Sequence, residues 1–412
     1  MSSLGTVCII SVMASLMSIV ANFRGFIVNS FPQIIGLLKD NSYYIRMKSV
    51  NVLAELSKHA DCHGLIATSL PQILNLLEDD NVRVRKAFMD TLPEFPENAD
   101  FHGFIVNSLY KITDLLKDNS HLIRGAAVNV LSKFAKHADF CGSIATSLPQ
   151  IFSLLKDNST HVRWESVAAL PAFSEHADFR GSIVTSFPQI IDLLKDDNYY
   201  IRESSLNTLS RLTEHADLQR FIGTCIPQII DLLKDNSSQI RRAAVDALLQ
   251  LSEQAEVRRF IGTSIPQIID LLMDDDSRVR FISVDVLLKL SEQVDLRRAI
   301  GSSIPQIIDL LMDDNSQVRW LSVDVLLRLS EQAELRRFIG TSIPQIIDLL
   351  MHDGSQVRSV SVYVLLKFSE QAELRRFLGT SMPQIINLLT HSDSEVSVAS
   401  AELLSKLQEQ GM

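Results

Sequence analysis

The sequence predicts an all-α solenoid of about ten helical-hairpin repeats. The octapeptide Ile304–Leu311 (IPQIIDLL) recurs unchanged at 226–233, 265–272 and 343–350, always 39 residues apart. The same step places proline at 32, 71, 149, 188, 227, 266, 305, 344 and 383, and only Tyr110 interrupts the row. A fixed period of this kind is typical of repeat proteins, in which each unit buries its apolar face against its neighbours.

The period divides the chain into ten units without an internal linker. Their boundaries are 22–60, 61–99, 100–138, 139–177, 178–216, 217–255, 256–294, 295–333, 334–372 and 373–412. In the 295–333 unit a polar turn follows the octapeptide, and Val318, Ser322, Leu326 and Leu329 then share one helical stripe. Each unit is therefore predicted to form a helix–turn–helix, with a short extra helix near its start.

Two kinds of polar residue are expected to cap these helices. An acidic or amide residue opens each unit, and Ser precedes the proline by two positions except before Pro227, where Cys225 stands. Both residue types suit the helix N-cap, and proline is tolerated in the first turn because its missing N–H has no helical partner there.

Residues 1–21 are interpreted as an N-terminal half-repeat. Residues 6–21 are strongly apolar and uncharged, which also suits a signal peptide or a membrane anchor. However, no basic residue precedes the run, and a shift by 39 residues aligns it with the second half of the 22–60 unit. We therefore expect no membrane span, while a cleaved or membrane-bound segment stays an open alternative.

Composition argues against several classes of protein. The formal net charge is −10, and a nucleic-acid groove needs a basic stripe instead. The four cysteines share no short spacing, which fits reduced thiols of a cytoplasmic protein, with the nucleus also possible. The recurrent histidines lie in different repeats, too far apart to share a metal ion. No catalytic motif occurs, so we expect no enzyme, no cofactor and no metal.

The pattern Pro-x-Ile-x-x-Leu-Leu followed by Asp-x5-Arg resembles the HEAT/armadillo superfamily over nearly the whole chain. The resemblance implies a right-handed α-α superhelix. It also implies that the aspartates and arginines stack into a ladder between repeats. The pairs are Asp40 and Arg46, Asp79 and Arg85, Asp118 and Arg124, Asp157 and Arg163, Asp196 and Arg202, Asp235 and Arg241, Asp274 and Arg280, and Asp313 and Arg319. The pattern departs from the family at His352 and Ser397.

The residue after each ladder arginine varies between repeats, and we call these positions the variable column. Its members are Met47, Lys86, Gly125, Trp164, Glu203, Arg242, Phe281, Trp320 and Ser359. Positions four residues further on share that helix face and are mostly Asn or Asp. The HEAT/armadillo resemblance places this face on the concave surface. The hypothesised binding residues are Trp164, Phe281, Trp320, Arg242, Met47, Tyr44, Tyr200, Asn51, Asn129, Asn207, Asp246, Asp285 and Asp324.

These observations favour a non-enzymatic scaffold or adaptor that binds a protein or peptide on the concave face. The fixed period is similar to that of the phosphatase 2A scaffold subunit, and the near-identical units are similar to fungal tandem HEAT arrays. A phosphatase 2A-type structural subunit is therefore an alternative. A HEAT-like enzyme, such as a DNA glycosylase or bilin lyase, is disfavoured because the chain is acidic and no residue supports a lyase. Importin-type recognition would need more than the two tryptophans present.

A second surface is indicated by paired arginines near the start of four units. The pairs are Arg258 and Arg259, Arg297 and Arg298, Arg336 and Arg337, and Arg375 and Arg376. Such a row either meets an acidic partner or lipid, or forms a solvated ridge that neighbouring acids neutralise.

Overall fold

The structure is a computed structural model that describes residues 23–96, 99–254, 258 and 261–409. The regular secondary structure in those ranges consists of α-helices and short 3₁₀ helices, without a β-strand. The chain forms two compact units, Met1–Thr208 and Leu209–Met412. The predicted half-repeat over 1–21 lies outside the described residues.

Each repeat contains a second helix after its polar turn, as the sequence predicts. In the first unit and at its end these helices are Tyr43–Ser57, Val82–Thr91, His121–Phe134, Thr160–Ser174 and Tyr199–Leu212. In the second unit they are Ser238–Leu251, Ser277–Glu292, Ser316–Ser330, Ser355–Ser369 and Ser394–Glu409. The first four of these helices in the first unit pack against each other in chain order, and so do all five in the second unit. The predicted all-α solenoid is thereby confirmed.

The first half of each repeat is one long helix or two shorter ones. Long helices occur at Phe23–Leu37, Ala99–Leu115, Ala177–Leu193 and Ala333–Asp348. Divided ones occur at Ala60–Ala67 with Leu70–Leu74, Ala138–Ala145 with Leu148–Ser153, Ala216–Ile222 with Ile226–Asp231, Val294–Ser302 with Ile304–Asp309, and Ala372–Thr380 with Met382–Leu388. Ile265–Asp270 is the proline-containing helix of the 256–294 repeat. The short extra helix is therefore separate in some repeats and continuous with the next helix in others.

The capping predictions need correction. Helix Ala333–Asp348 follows the N-cap residue Gln332, so the acidic Glu334 lies in the first turn, where it interacts favourably with the helix dipole. Ser303 is an N-cap, but its hydroxyl donates to the Ala299 carbonyl (3.2 Å) and does not accept from the helix. His or Gln takes the N-cap position before the first helix at His59, His137, His176, His215, Gln293, Gln332 and Gln371.

The core follows the predicted stripes. Val318, Ser322, Leu326 and Leu329 are all buried, and the Ser322 hydroxyl is satisfied by the Val318 carbonyl at 2.9 Å. The apolar residues of the octapeptide are buried as well. Burial of such side chains contributes on the order of 2 kcal/mol each, so the repeated stripe accounts for the fixed framework.

Ladder arginines join neighbouring repeats within each unit. Arg46 donates from Nη1 to the Asp40 carbonyl of its own turn (2.8 Å). It also donates from Nε and Nη2 to the Asp79 carboxylate of the next repeat (2.7 and 2.8 Å). The same cross-repeat contact joins Arg85 with Asp118, Arg124 with Asp157, Arg163 with Asp196 and Arg241 with Asp274. Two further ladder residues make contacts within their own turns. Arg202 in the first unit donates to the Asp196 carbonyl, and Asp235 in the second unit accepts from the Ser237 N–H.

Arg280 and Arg319 depart from the predicted ladder. Arg280 Nη2 donates to Gln317 Oε1 at 2.8 Å, and Arg319 donates to the Gln356 side chain. Each glutamine lies four residues after the ladder position of the next repeat, where its amide oxygen reaches the guanidinium. Asp313 still accepts from the Asn315 N–H (2.7 Å), and His352 Nδ1 accepts from the Gly354 N–H (3.0 Å). His352 therefore accepts the hydrogen bond that forms the turn, as the aspartate does in the other repeats.

Candidate functional site

The exposed side of the second helices is the candidate binding surface. We call it the second-helix face, made of the variable column and the positions four and eight residues later. Because the buried stripe occupies the opposite side of each helix, these positions point outward at helical spacing, with the exception of the buried Gly125. The two compact units each carry such a face.

Large aromatic side chains lie on the second-helix face of the second unit. Phe281 is 56% exposed and Trp320 is 53% exposed, although both follow a buried arginine. The Trp320 ring meets the Tyr363 ring of the next repeat edge-on, with 5.8 Å between centroids. Tyr363 occupies the position that holds aspartate in the preceding repeats. Sequence reasoning missed it, although the 39-residue register identifies its position.

The polar positions of the second unit are partly paired within their own helices. Arg242 lies 3.8 Å from Asp246, and Arg328 donates from Nε to Asp324 at 3.0 Å. Burial raises the pKa of Asp246, which the nearby Arg242 and Lys289 only partly offset. Asp285 is exposed.

The predicted residues of the first unit are more scattered. Trp164 is 42% exposed, Asn51 is exposed and Met47 is half-buried. Asn129 is also half-buried, because its amide donates to Glu165 Oε2 of the next repeat (3.2 Å). Asn129 therefore takes part in the contact between two repeats, and its role in binding stays a prediction.

Tyrosines lie at the start of two second helices of the first unit. Tyr44 and Tyr200 are exposed, and the Tyr200 ring lies 3.9 Å from the Tyr199 ring. Tyr43 accepts a hydrogen bond from Arg83 Nη1 of the next repeat at 2.9 Å. Asn207 is exposed further along the helix of Tyr200.

A cleft of about 430 Å³ opens between the second helices Ser355–Ser369 and Ser394–Glu409. Ser359, in the variable column, and Val362 line one side. Val398, Ala399 and Glu402 line the other. The sequence signal for this cleft is a small residue in a column that holds Phe281 and Trp320 in the preceding repeats, whereas the binding residues predicted from that column all have large side chains.

The paired arginines divide into two groups. The first arginine is structural in three of the pairs. Arg297 donates to the Ser291 carbonyl at the end of the preceding helix (2.9 Å) and pairs with Glu334 of the next repeat (2.9 Å). Arg258 and Arg336 make equivalent contacts with Asp295 and Glu373. The second of each pair is exposed at Arg298, Arg337 and Arg376.

Exposed methionines form a further row that the sequence reasoning overlooked. Met273, Met312 and Met351 end the 3₁₀ helices before the polar turns and are 51%, 40% and 54% exposed. Lys234 holds the same position one repeat earlier. The change from lysine to methionine at a fixed position was the available signal.

The described residues offer little for redox or metal chemistry. They contain no group of three or more His, Cys, Asp or Glu residues arranged to hold a metal ion. Cys62, Cys141 and Cys225 are buried and form no disulfide bond, and burial raises the pKa of Cys225 to about 12. Within the same ranges, no helix combines the length and hydropathy required to cross a membrane.

Fold and surface define a helical-repeat solenoid of the HEAT/armadillo type, as the sequence pattern predicts. Residues 10–261 match the family described as the adaptin N terminal region. The match spans more than half of the sequence, and the chain belongs to this family.

Among solved structures, the crystal structure of an engineered protein studied by the Northeast Structural Genomics Consortium is similar, with a TM-score of 0.53. It shares 18% sequence identity over 92% of this chain and 99% of its own, so the likeness concerns the fold alone. No protein of curated function matches the sequence.

Proposed function

We propose that this protein is a non-enzymatic scaffold or adaptor that holds a protein or peptide partner on the second-helix face. The observation that carries the proposal is the exposure of Phe281 and Trp320 at the same position of successive repeats. Aromatic side chains are preferred anchors of protein interfaces, and several in one solvent-exposed row are uncommon without a partner. In HEAT/armadillo proteins the corresponding face is the concave surface.

The contrast between fixed and variable positions supports the same conclusion. The octapeptide is identical in four repeats of the second unit, whereas the variable column holds Arg242, Phe281, Trp320 and Ser359 in those repeats. A framework that keeps its core and changes its exposed column can adjust specificity without disturbing the packing.

Membership of the adaptin N terminal region family supports a scaffold or adaptor role in general terms. A phosphatase 2A-type structural subunit is the alternative within that class, supported by the 39-residue period. Recovery of a phosphatase catalytic subunit with the purified chain would favour it. A catalytic alternative predicts a thermal shift on addition of DNA or a tetrapyrrole, and the scaffold proposal predicts none.

The proposed location is the cytoplasm, with the nucleus as the second choice. The cysteines at positions 62, 141 and 225 are buried and form no disulfide bond, which is consistent with a reducing compartment. Imaging of a fluorescent fusion tests this, and secretion of the fusion would contradict it.

The test compares partner capture by three forms of the chain. The first is the natural sequence and the second is a Trp164→Ala, Phe281→Ala, Trp320→Ala variant. The third is a control that removes three exposed apolar side chains elsewhere, Met273→Ala, Met312→Ala, Met351→Ala. We expect partners to be lost from the aromatic variant alone, at equal helicity. Capture of the same partners by all three forms would contradict the proposal.

A further inference from the structure

The cleft between helices Ser355–Ser369 and Ser394–Glu409 has a composition that suits one type of side chain. We propose that it binds a lysine side chain from a basic peptide segment of the partner. This inference rests on the proposed function, because it assigns a ligand chemistry to one part of the second-helix face. Shape and charge support it separately.

The shape of the cleft results from small residues. Ser359 stands where the two preceding repeats hold Trp320 and Phe281, and Ala399 faces the same space from the last helix. Val362 and Val398 add apolar surface, and Val398 is 65% exposed. The aliphatic stem of a lysine packs favourably on such walls while its ammonium group stays at the polar edge.

The charge of the cleft is negative. Glu395 and Glu402 both line it, and Arg358 is the lining residue of opposite charge. Arg358 Nη2 already lies 2.7 Å from Asp393 and 3.2 Å from Glu395. Asp393 and Glu395 thus both contact the single guanidinium, and Glu402 adds a further negative charge to the cleft lining. Glu402 is exposed and has no ion pair within 4 Å among the described residues.

The lysines of the two helices that flank the cleft pair with a carboxylate outside its lining, Glu370. Lys367 and Lys406, four residues beyond Tyr363 and Glu402 on their helices, both lie 3.3 Å from Glu370. They therefore form a bridge between the two helices and leave the negative charge of Glu402 uncompensated. A cation from outside fits this arrangement better than an anion does.

Binding of a fluorescein-labelled peptide of alternating lysine and alanine tests the inference on the full chain at low salt. The comparison peptides carry Nε-acetyl-lysine, which keeps the stem and removes the charge, or glutamate. The variants are Glu402→Gln, which removes the unpaired charge, and Ser359→Trp, which fills the cleft with the side chain of the preceding repeat. Asp348→Asn is the control, because it removes an exposed carboxylate from a first helix.

We expect Glu402→Gln to weaken binding of the lysine peptide about threefold to fivefold. Ser359→Trp should weaken it about tenfold or more, because the side chain can no longer enter. Asp348→Asn should stay within about twofold of the natural chain, and acetylation should abolish most of the binding. Equal loss in Asp348→Asn and Glu402→Gln, equal binding of the acetylated peptide, or no binding of the lysine peptide would each overturn the inference.

These outcomes are separable from those of the proposed function. If partner capture depends on the three aromatic residues but the lysine peptide does not distinguish the variants, the scaffold proposal stands and the lysine cleft is rejected. If the lysine peptide binds in the cleft while all three forms capture the same partners, the cleft is retained and the aromatic face is rejected.

Discussion

The Asp79 carboxylate holds two adjacent repeats together by accepting from Arg46 Nε and Nη2, at 2.7 and 2.8 Å, and from the Asn81 N–H, at 2.9 Å. One side chain thus fixes the turn of its own repeat and the arginine of the preceding one. Both partners are largely buried, with side-chain exposures of 17% for Arg46 and 9% for Asp79. This contact connects the formation of the turn within one repeat to the stacking of neighbouring repeats.

Removal of one ladder charge should destabilise the unit that contains it. Asp157→Asn keeps an oxygen for the Ser159 N–H but loses the charged contact with Arg124. We expect a loss of about 1–3 kcal/mol in the free energy of unfolding, because Arg124 keeps a partly buried charge with a weaker partner. Urea unfolding measures it. Asp197→Asn, an exposed change in a neighbouring turn, should have little effect, and equal midpoints for both variants would refute the prediction.

The ladder should also make stability depend on acid pH. Burial raises the pKa values of Asp79, Asp157 and Asp274, but hydrogen bonds from their arginines and from backbone N–H groups outweigh it, so the pKa values are lowered. A lowered folded-state pKa gives stabilisation that is present above the unfolded-state value, about 4, and is lost as pH falls through the folded-state value. Urea midpoints should therefore drop below about pH 4. The urea midpoint of Asp157→Asn should fall less steeply with pH than that of the natural chain. Equal pH dependence of the two midpoints would contradict the assignment of this acid sensitivity to the ladder aspartates.

Arg280 should be coupled to Gln317 more strongly than to Asp313. The structure places the Arg280 guanidinium 2.8 Å from the Gln317 side-chain oxygen. Double-mutant cycles with Arg280→Met test this, using Gln317→Ala in one cycle and Asp313→Asn in the other. We expect a coupling energy of about 1 kcal/mol for the glutamine and less than about 0.5 kcal/mol for the aspartate. The reverse order would show that the aspartate ladder continues through this repeat.

Glycine substitutions should have opposite effects at two helical positions. A Cβ at Gly301 would lie 2.5 Å from the Phe338 ring of the next repeat, whereas nothing lies within 4 Å of a Cβ at Gly142. Gly301→Ala should therefore destabilise by about 1–3 kcal/mol, since the ring must move. Gly142→Ala should stabilise by about 0.5–1 kcal/mol, because alanine restricts the unfolded chain. Thermal unfolding distinguishes them, and stabilisation by both changes would contradict the packing.

Much of the fold could be predicted from the sequence because a repeat reports the same packing solution many times. The stripe of Val318 and Leu326 and the polar turn before it locate the second helix without any tertiary information. Helix starts were less accessible. The acidic residue that opens a repeat, such as Glu334, suits both the N-cap and the first turn of the helix, and only the structure distinguishes these two positions.

The candidate site was only partly predictable because contacts between repeats depend on side-chain reach. The periodicity indicated that Trp320 is exposed, but not that Tyr363 of the next repeat touches it. The HEAT/armadillo resemblance implied that Arg280 pairs with aspartate, and nothing in the period shows that Gln317 lies closer. The cleft beside Ser359 was not predicted, because a small residue opens a cleft only where the neighbouring helix leaves the space empty, and the period does not show this.

Site-specific photo-crosslinking in source cells tests whether a partner binds on the second-helix face. A benzoylphenylalanine would replace Trp320 on the second-helix face in one chain and the exposed Met312 in another. We expect a discrete crosslinked partner from position 320 and none, or a far weaker one, from position 312. Crosslinks of equal strength from both positions, or from position 312 alone, would contradict binding on the second-helix face.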